Sequence, residues 1–277
     1  MIAAALSRAV ERTVPALPGA LDGPLGELVG TVGWLVSPRS RAAVRANLEV
    51  VAPGRAHLAR RVFVCQARHY VETFRILRLD PARLLEMVDL EGWAHLAQAH
   101  ARGNGVILAS AHLGPVVLCG QVLAARGLDV SVVVEAKTGD LGRVIDRARG
   151  AMGIKTIETR SPMGIARVLR RGGILGFLGD RAVSGVGERV TFFGRQTLLP
   201  SAHVAMALRS GAALVPGFAL REGRRLRAYA GPELELPRTG EREADLREGM
   251  RLWAAVLERW VARAPEQWSV FDRVFDG

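Results

Sequence analysis

Lysine is almost missing from this chain: Lys137 and Lys155 are the only two, although lysine and arginine together number 38 against 27 acidic residues. The net charge of +11 is therefore carried almost wholly by arginine. Such a surface draws phosphate-bearing partners, namely anionic lipid headgroups, coenzyme A or nucleic acid, although a GC-rich genome also inflates arginine. Aromatic residues make up only 5% and no basic reading helix is evident, which argues against nucleic acid. Cysteine is scarce as well. Cys65 and Cys119 fall in apolar, helical-looking stretches without metal-ligand spacing, so they read as reduced packing residues rather than a disulfide or a nucleophile. No apolar run reaches the roughly 18 residues of a spanning helix. The first residues lack the charged start, unbroken apolar centre and cleavage site of a signal peptide. There is no internal repeat and no low-complexity linker.

What is present is ample material for a core. Of 277 residues, 49% are apolar and 23% charged, which excludes a disordered chain. Residues 1–104 read as a helical part, with helices over about 37–50, 56–78 and 92–102; Ser37-Pro38 supplies a cap followed by proline in the first turn. Within it Leu25 to Val36 is short and apolar, carries Trp34, and precedes Arg39, Arg41 and Arg45. That pattern suits an element lying in a membrane interface, with Trp34 at headgroup depth and arginines on phosphates, and equally a helix docked on its own domain. From Gly105 to the end the pattern changes. Strands are expected at 105–110, 129–134, 154–157, 173–178, 212–219 and 226–230, and helices at 114–126, 140–152, 162–171, 201–210 and 241–262. Continuous rather than alternating apolar strands, separated by amphipathic segments, predict an α/β fold. Its mostly parallel twisted sheet is flanked by helices on both faces, with the N-terminal helical extension forming one structural domain with the 105–277 core.

One histidine stands apart. His112 follows the run Val106 to Ala111 and precedes Leu113-Gly114-Pro115, so it sits at the C-terminal end of a buried strand, where open α/β sheets place their chemistry. His57, His69, His95 and His100 fall in the helical part, and His203 at the start of a later helix. A carboxylate at position 117 would complete a His-x4-Asp/Glu dyad, but Val117 stands there. A second place is Gly179-Asp180-Arg181, at the end of the strand Gly173 to Leu178 and ahead of a Gly-rich loop; it reads either as a fork for phosphate or carboxylate or as a surface loop with a structural ion pair. Glu135, just after the strand Asp129 to Val134, shares that sheet edge, and Arg143, Arg147 and Arg149 follow on the next helix.

Together these segments resemble the lipid A biosynthesis acyltransferase family, which comprises lauroyl and myristoyl transferases and the actinobacterial phosphatidylinositol mannoside acyltransferases. The likeness runs from about Arg45 to Phe275. Arg45-Ala46-Asn47-Leu48 is similar to the family's R-x-N-L, and Gly105 to Gly114 to its strand ending in His-x-Gly. Val190 to Arg195, Pro200 and Gly211 to Pro216 are similar to its F-F-G-R … P … G-A-x-V-P block, and Ala264-Pro265-Glu266-Gln267-Trp268 to its closing h-P-E-Q-W. Glu135-Ala136-Lys137 lies closer to the actinobacterial branch.

The resemblance implies a glycerolipid-acyltransferase-like fold and transfer of a fatty acyl chain to a hydroxyl of a membrane glycolipid or similar acceptor. The acyl thioester donor is acyl-CoA or acyl carrier protein, and no metal or other cofactor is needed. It assigns His112 as general base and carries branch site residues onto Glu135, onto Arg149 (or Arg147), and onto Glu188 or Arg189. Asp180, Arg181 and Arg195 join Arg149 and Glu188 as substrate-binding candidates, and Glu135 joins His112 as a catalytic one. The expected location is peripheral, on the cytoplasmic side of the bacterial inner membrane, against an anionic lipid surface. Val117 leaves three explanations: Glu135 orients the imidazole in its place, His112 works alone, or the chain is a retired homologue that binds acyl chains or lipids without turnover.

Overall fold

The computed structural model describes residues 13–14, 17–76, 80–134, 150, 153–159, 161–182, 185–223 and 225–275. The described residues include the helices α1 (Asp22–Val36), α2 (Pro38–Val51), α3 (Ala59–Ile76) and α4 (Pro81–Met87). Then come β1 (Val88–Glu91), α5 (Trp93–Ala101), β2 (Val106–Ser110), α6 (Val116–Ala125), β3 (Val130–Val134), β4 (Lys155–Glu158), α7 (Pro162–Arg170) and β5 (Ile174–Leu178). The chain continues through β6 (Glu188–Phe192), β7 (Arg195–Leu199), α8 (Ala202–Ser210), β8 (Ala213–Glu222), β9 (Arg225–Ala230) and α9 (Arg242–Arg263).

Among the described residues, seven strands form one sheet in the order β1-β9-β8-β2-β5-β3-β4, and β6 and β7 pair separately. Every pairing in the large sheet is parallel except β8 with β9. The expected α/β class and mostly parallel sheet are thus what the chain forms. Two strand regions differ from the sequence reading. Val88–Glu91, inside the part expected to be helical, forms the edge strand β1, and 188–199, to which the sequence reading gave no element, folds as a hairpin.

The strands are apolar on both sides because both sides are covered. On β2, Ile107 and Ala109 join a core with Leu48, Val62, Val204, Trp253 and Leu257, from α2, α3, α8 and α9. Val106, one residue out of phase, packs with Leu96 and Leu123 from α5 and α6. Alternate residues therefore serve opposite layers, each fully buried aliphatic contributing about 1.5–3 kcal/mol.

α1 is attached by close backbone approach. A Cβ on Gly30 would stand 2.4 Å from Val64 Cα and one on Gly26 2.8 Å from Arg68 Cβ, so only glycine lets α1 lie this close to α3. The opposite side of α1 leaves Leu28, Val29, Val32, Leu35 and Val36 exposed. Trp34 is half-buried against the main core, with the Arg41 and Arg45 guanidiniums 5.2 and 6.0 Å from its ring centroid. No helix among the described residues is long and apolar enough to cross a membrane.

Candidate active site

The site follows from strand register. β2 and β5 are parallel neighbours with Ser110 opposite Leu178, and the Gly179 N–H donates to the Ser110 carbonyl at 2.8 Å. Two residues beyond that last pair, the chains deliver His112 and Asp180 side by side. The Asp180 Oδ1 stands 2.9 Å from His112 Nδ1, and its Oδ2 accepts the His112 backbone N–H at 3.0 Å. The Trp268 indole N–H donates to the same Oδ2 at 2.9 Å. Asp180 is fully buried, while the His112 side chain keeps 33% of its surface exposed.

Burial by itself pushes the Asp180 carboxyl up. The His112 ring beside it, with the hydrogen bonds from that ring, Trp268 and the His112 backbone, more than offsets this and holds the carboxyl below the usual carboxylate range. An ionised Asp180 accepts but cannot donate, so the proton between the two sits on Nδ1 and Nε2 becomes the basic nitrogen.

The turn after His112 is fixed by glycine and by the C-terminal segment. Gly114 has φ +60°, and a Cβ there would stand 2.0 Å from the Ala219 carbonyl oxygen. Its N–H donates to the Gln267 carbonyl, and the Ser269 N–H donates to the His112 carbonyl at 2.7 Å. Asn47, from the R-x-N-L segment, is buried and clamps the same stretch: its amide donates to the Asp272 carbonyl at 2.9 Å and its carbonyl accepts the Val274 N–H at 3.1 Å.

Between α6 and the sheet lies an apolar cavity of about 90 Å³, whose lining includes Ser110 and Leu178, two residues ahead of His112 and Asp180. Ser110, Val116 and Val117 line it next to the His112 turn, and Gly120, Leu123 and Val130 line it further along. Position 117 thus faces the apolar cavity.

The other candidates separate. Arg181 stays near the pair, half-buried, with its guanidinium donating to Asp272 at 2.7 Å. Asp180, expected among the substrate contacts, is instead fully buried and occupied by His112 and Trp268. Glu188 and Arg195 sit at opposite ends of the β6–β7 hairpin, paired with Leu199 and Phe192 respectively. Four residue steps of about 3.4 Å hold them roughly 14 Å apart, so they do not form one cluster. Glu135 and Arg149 lie outside the described residues. β3, whose last residue Val134 precedes Glu135 in the sequence, is separated from β2 by β5. Sequence reasoning gave no role to Trp268 or Asn47, although both stand in the quoted family signatures.

His203 lies behind the site. It is fully buried, stacked edge-on to Trp253 at 4.9 Å between centroids, with neither ring nitrogen hydrogen-bonded, and burial pushes its pKa down to about 3.

Residues 6–276 match the family described as bacterial lipid A biosynthesis acyltransferase. The chain is similar to the phosphatidylinositol mannoside acyltransferase of Mycolicibacterium smegmatis, 29% identical over 184 residues, which is 64% of this chain and 60% of that protein. The protein of the same name from Mycobacterium tuberculosis is 28% identical over 165 residues, 57% of this chain and 52% of that one. The chain therefore spans between half and three-fifths of these relatives' lengths. Because the family match runs over nearly the whole described fold, and its signatures fall on the His112 turn and on the segment that carries Trp268, the chain belongs to the bacterial lipid A biosynthesis acyltransferase family.

Proposed function

We propose that the protein is an O-acyltransferase that moves a fatty acyl chain from an acyl thioester, acyl-CoA or acyl carrier protein, to a hydroxyl of a membrane-associated glycolipid. The names of its relatives suggest a mannosylated phosphatidylinositol as that acceptor. The observation that carries the reading is the His112–Asp180 pair, two residues past Ser110 and Leu178 in the lining of an apolar cavity. His112 Nε2 takes the proton of the acceptor hydroxyl while the oxygen attacks the thioester carbonyl carbon. The resulting oxyanion collapses, the carbon–sulfur bond breaks, and the imidazolium returns its proton to the leaving thiolate. Asp180 holds the ring in the tautomer that leaves Nε2 basic and stabilises the imidazolium. The acyl chain enters the cavity lined by Val117 and Gly120.

Arg181 is the nearest candidate for the donor's phosphates or for the oxyanion, with Arg149, Glu188 and Arg195 further substrate contacts. The exposed apolar side of α1, with Arg39, Arg41 and Arg45 following it, docks the protein on the anionic cytoplasmic leaflet, where a thioester donor and a lipid acceptor meet.

The test is release of free thiol from acyl-CoA in the presence of mannosylated phosphatidylinositol in mixed vesicles. Wild type is expected to release thiol and form the acylated lipid, and His112→Ala to lose nearly all of that rate. An unchanged rate in His112→Ala overturns the assignment of the base. Binding of the lipid by wild type without any thioester consumption identifies a non-catalytic acyl-chain or lipid binder instead.

A further inference from the structure

We infer that Trp268 is a positioning residue for the reacting pair: its indole N–H fixes Asp180 so that the remaining carboxylate oxygen meets the imidazole. The inference rests on the proposed role of His112 and Asp180.

Asp180 receives three donors. Two of them, the His112 backbone N–H and the Trp268 indole, converge on Oδ2 and set the plane of the carboxylate, which leaves Oδ1 for ring Nδ1. Only the indole comes from outside the β2–β5 register. A buried carboxylate that loses one donor is left with an unmade hydrogen bond at a charged atom, and its proton affinity rises.

Trp268 can hold a partner because it is itself held. It is buried, it bridges antiparallel to Leu113, and its ring meets Phe192 edge-on at 6.2 Å between centroids. Gln267, beside it, is locked to Arg221 by reciprocal bonds of 2.9 Å, in which its side chain accepts the Arg221 N–H and donates to the Arg221 carbonyl. Asn47 anchors the chain on the other side. A segment fixed at both ends thus presents one N–H to the carboxylate that, among the described residues, touches the imidazole. The other titratable or charged groups beside Asp180 among the described residues are His112, Arg181 with its partner Asp272, and His203 behind Gly179.

The experiment compares Trp268→Phe with wild type in the thioester assay across pH. Phenylalanine keeps the packing against Phe192 and removes only the donor. The expected result is a roughly tenfold fall in kcat, little change in KM, and an acid limb of the rate profile displaced to higher pH, since a more basic Asp180 raises the proton affinity of the whole pair. A wild-type profile, or a lower kcat with the acid limb unmoved, overturns the inference. A second measurement needs no variant. The Trp268 indole N–H resonance in ¹⁵N-labelled wild type is expected to titrate with the midpoint of that acid limb, and an indole signal flat with pH overturns the inference equally. Loss of the base assignment would show separately, as a His112→Ala enzyme that still turns over.

Discussion

At position 117 a carboxylate and a valine would do incompatible things, and the surroundings decide between them. Val117 faces an apolar cavity, whereas Asp180 reaches the imidazole from the neighbouring strand. Asp180→Asn is expected to lower kcat by up to about 10⁴, the loss seen when an orienting carboxylate is made an amide and the imidazole tautomer is no longer held. Adding a carboxylate at 117 does not repair this. Val117→Glu places a charge in a cavity lined mostly by aliphatic side chains, a burial that costs several kcal/mol or forces the group to stay protonated. Val117→Glu is therefore expected to melt lower and turn over more slowly than wild type, and the double variant to be no faster than Asp180→Asn; thiol release and thermal unfolding read both. Recovery of rate in the double variant would return the orienting role to position 117. His112 was legible in the sequence because a strand-end histidine before Gly114 and Pro115 is a local pattern. Its partner was not, because 68 residues separate them and only the β2–β5 pairing makes them neighbours.

Among the elements, those with strong local periodicity were legible and those that depend on a partner were not. The buried strands β2, β5 and β8 read directly as apolar runs. β1 has four residues, Val88–Glu91, and earns its strand only by pairing with β9. The hairpin carried a signal that went unused: alternation on both sides of Phe193-Gly194, whose φ values of 49° and 73° are those of a tight hairpin turn. α8 supplies a testable consequence of burial. His203 begins from 6.5 and is pushed down to about 3, so the unfolded chain binds a proton that the folded one refuses. Its neutral form is therefore compatible with the fold above about pH 6.5, and stability drains away as the pH falls from there toward about 3. At about 1.4 kcal/mol per unit, this single residue contributes several kcal/mol of acid sensitivity. Because neither ring nitrogen has a partner, His203→Leu is expected to be neutral or stabilising at pH 8 and to flatten the acid side of the urea-midpoint curve. An equally steep acid loss in the variant would place the sensitivity elsewhere.

For the whole molecule, a charge of +11 and one exposed apolar helix side act on the same encounter at different ranges. The charge acts over about a Debye length, near 10 Å at 0.1 M salt, and so governs approach to an anionic leaflet. The apolar side of α1 acts only on contact, when Leu28, Val29, Val32, Leu35 and Val36 leave water. Gly26 and Gly30 seat α1 directly on α3, so the helix is carried by the fold and presents that side as a fixed surface. The two contributions are separable in vesicle co-sedimentation. Raising salt is expected to weaken wild-type binding to phosphatidylglycerol-containing vesicles and leave its weaker binding to pure phosphatidylcholine nearly unchanged. Leu28→Ser with Val32→Ser removes about 2–3 kcal/mol of apolar burial, so binding to both vesicle types is expected to fall by roughly 30- to 150-fold. These two positions lie away from the α3 contact, so the double variant keeps its fold and its thiol release from a detergent-dispersed acceptor. Binding that responds neither to lipid charge nor to salt, or that survives the serine substitutions intact, would remove α1 as the membrane contact and leave the +11 surface to be explained by the phosphates of the donor alone.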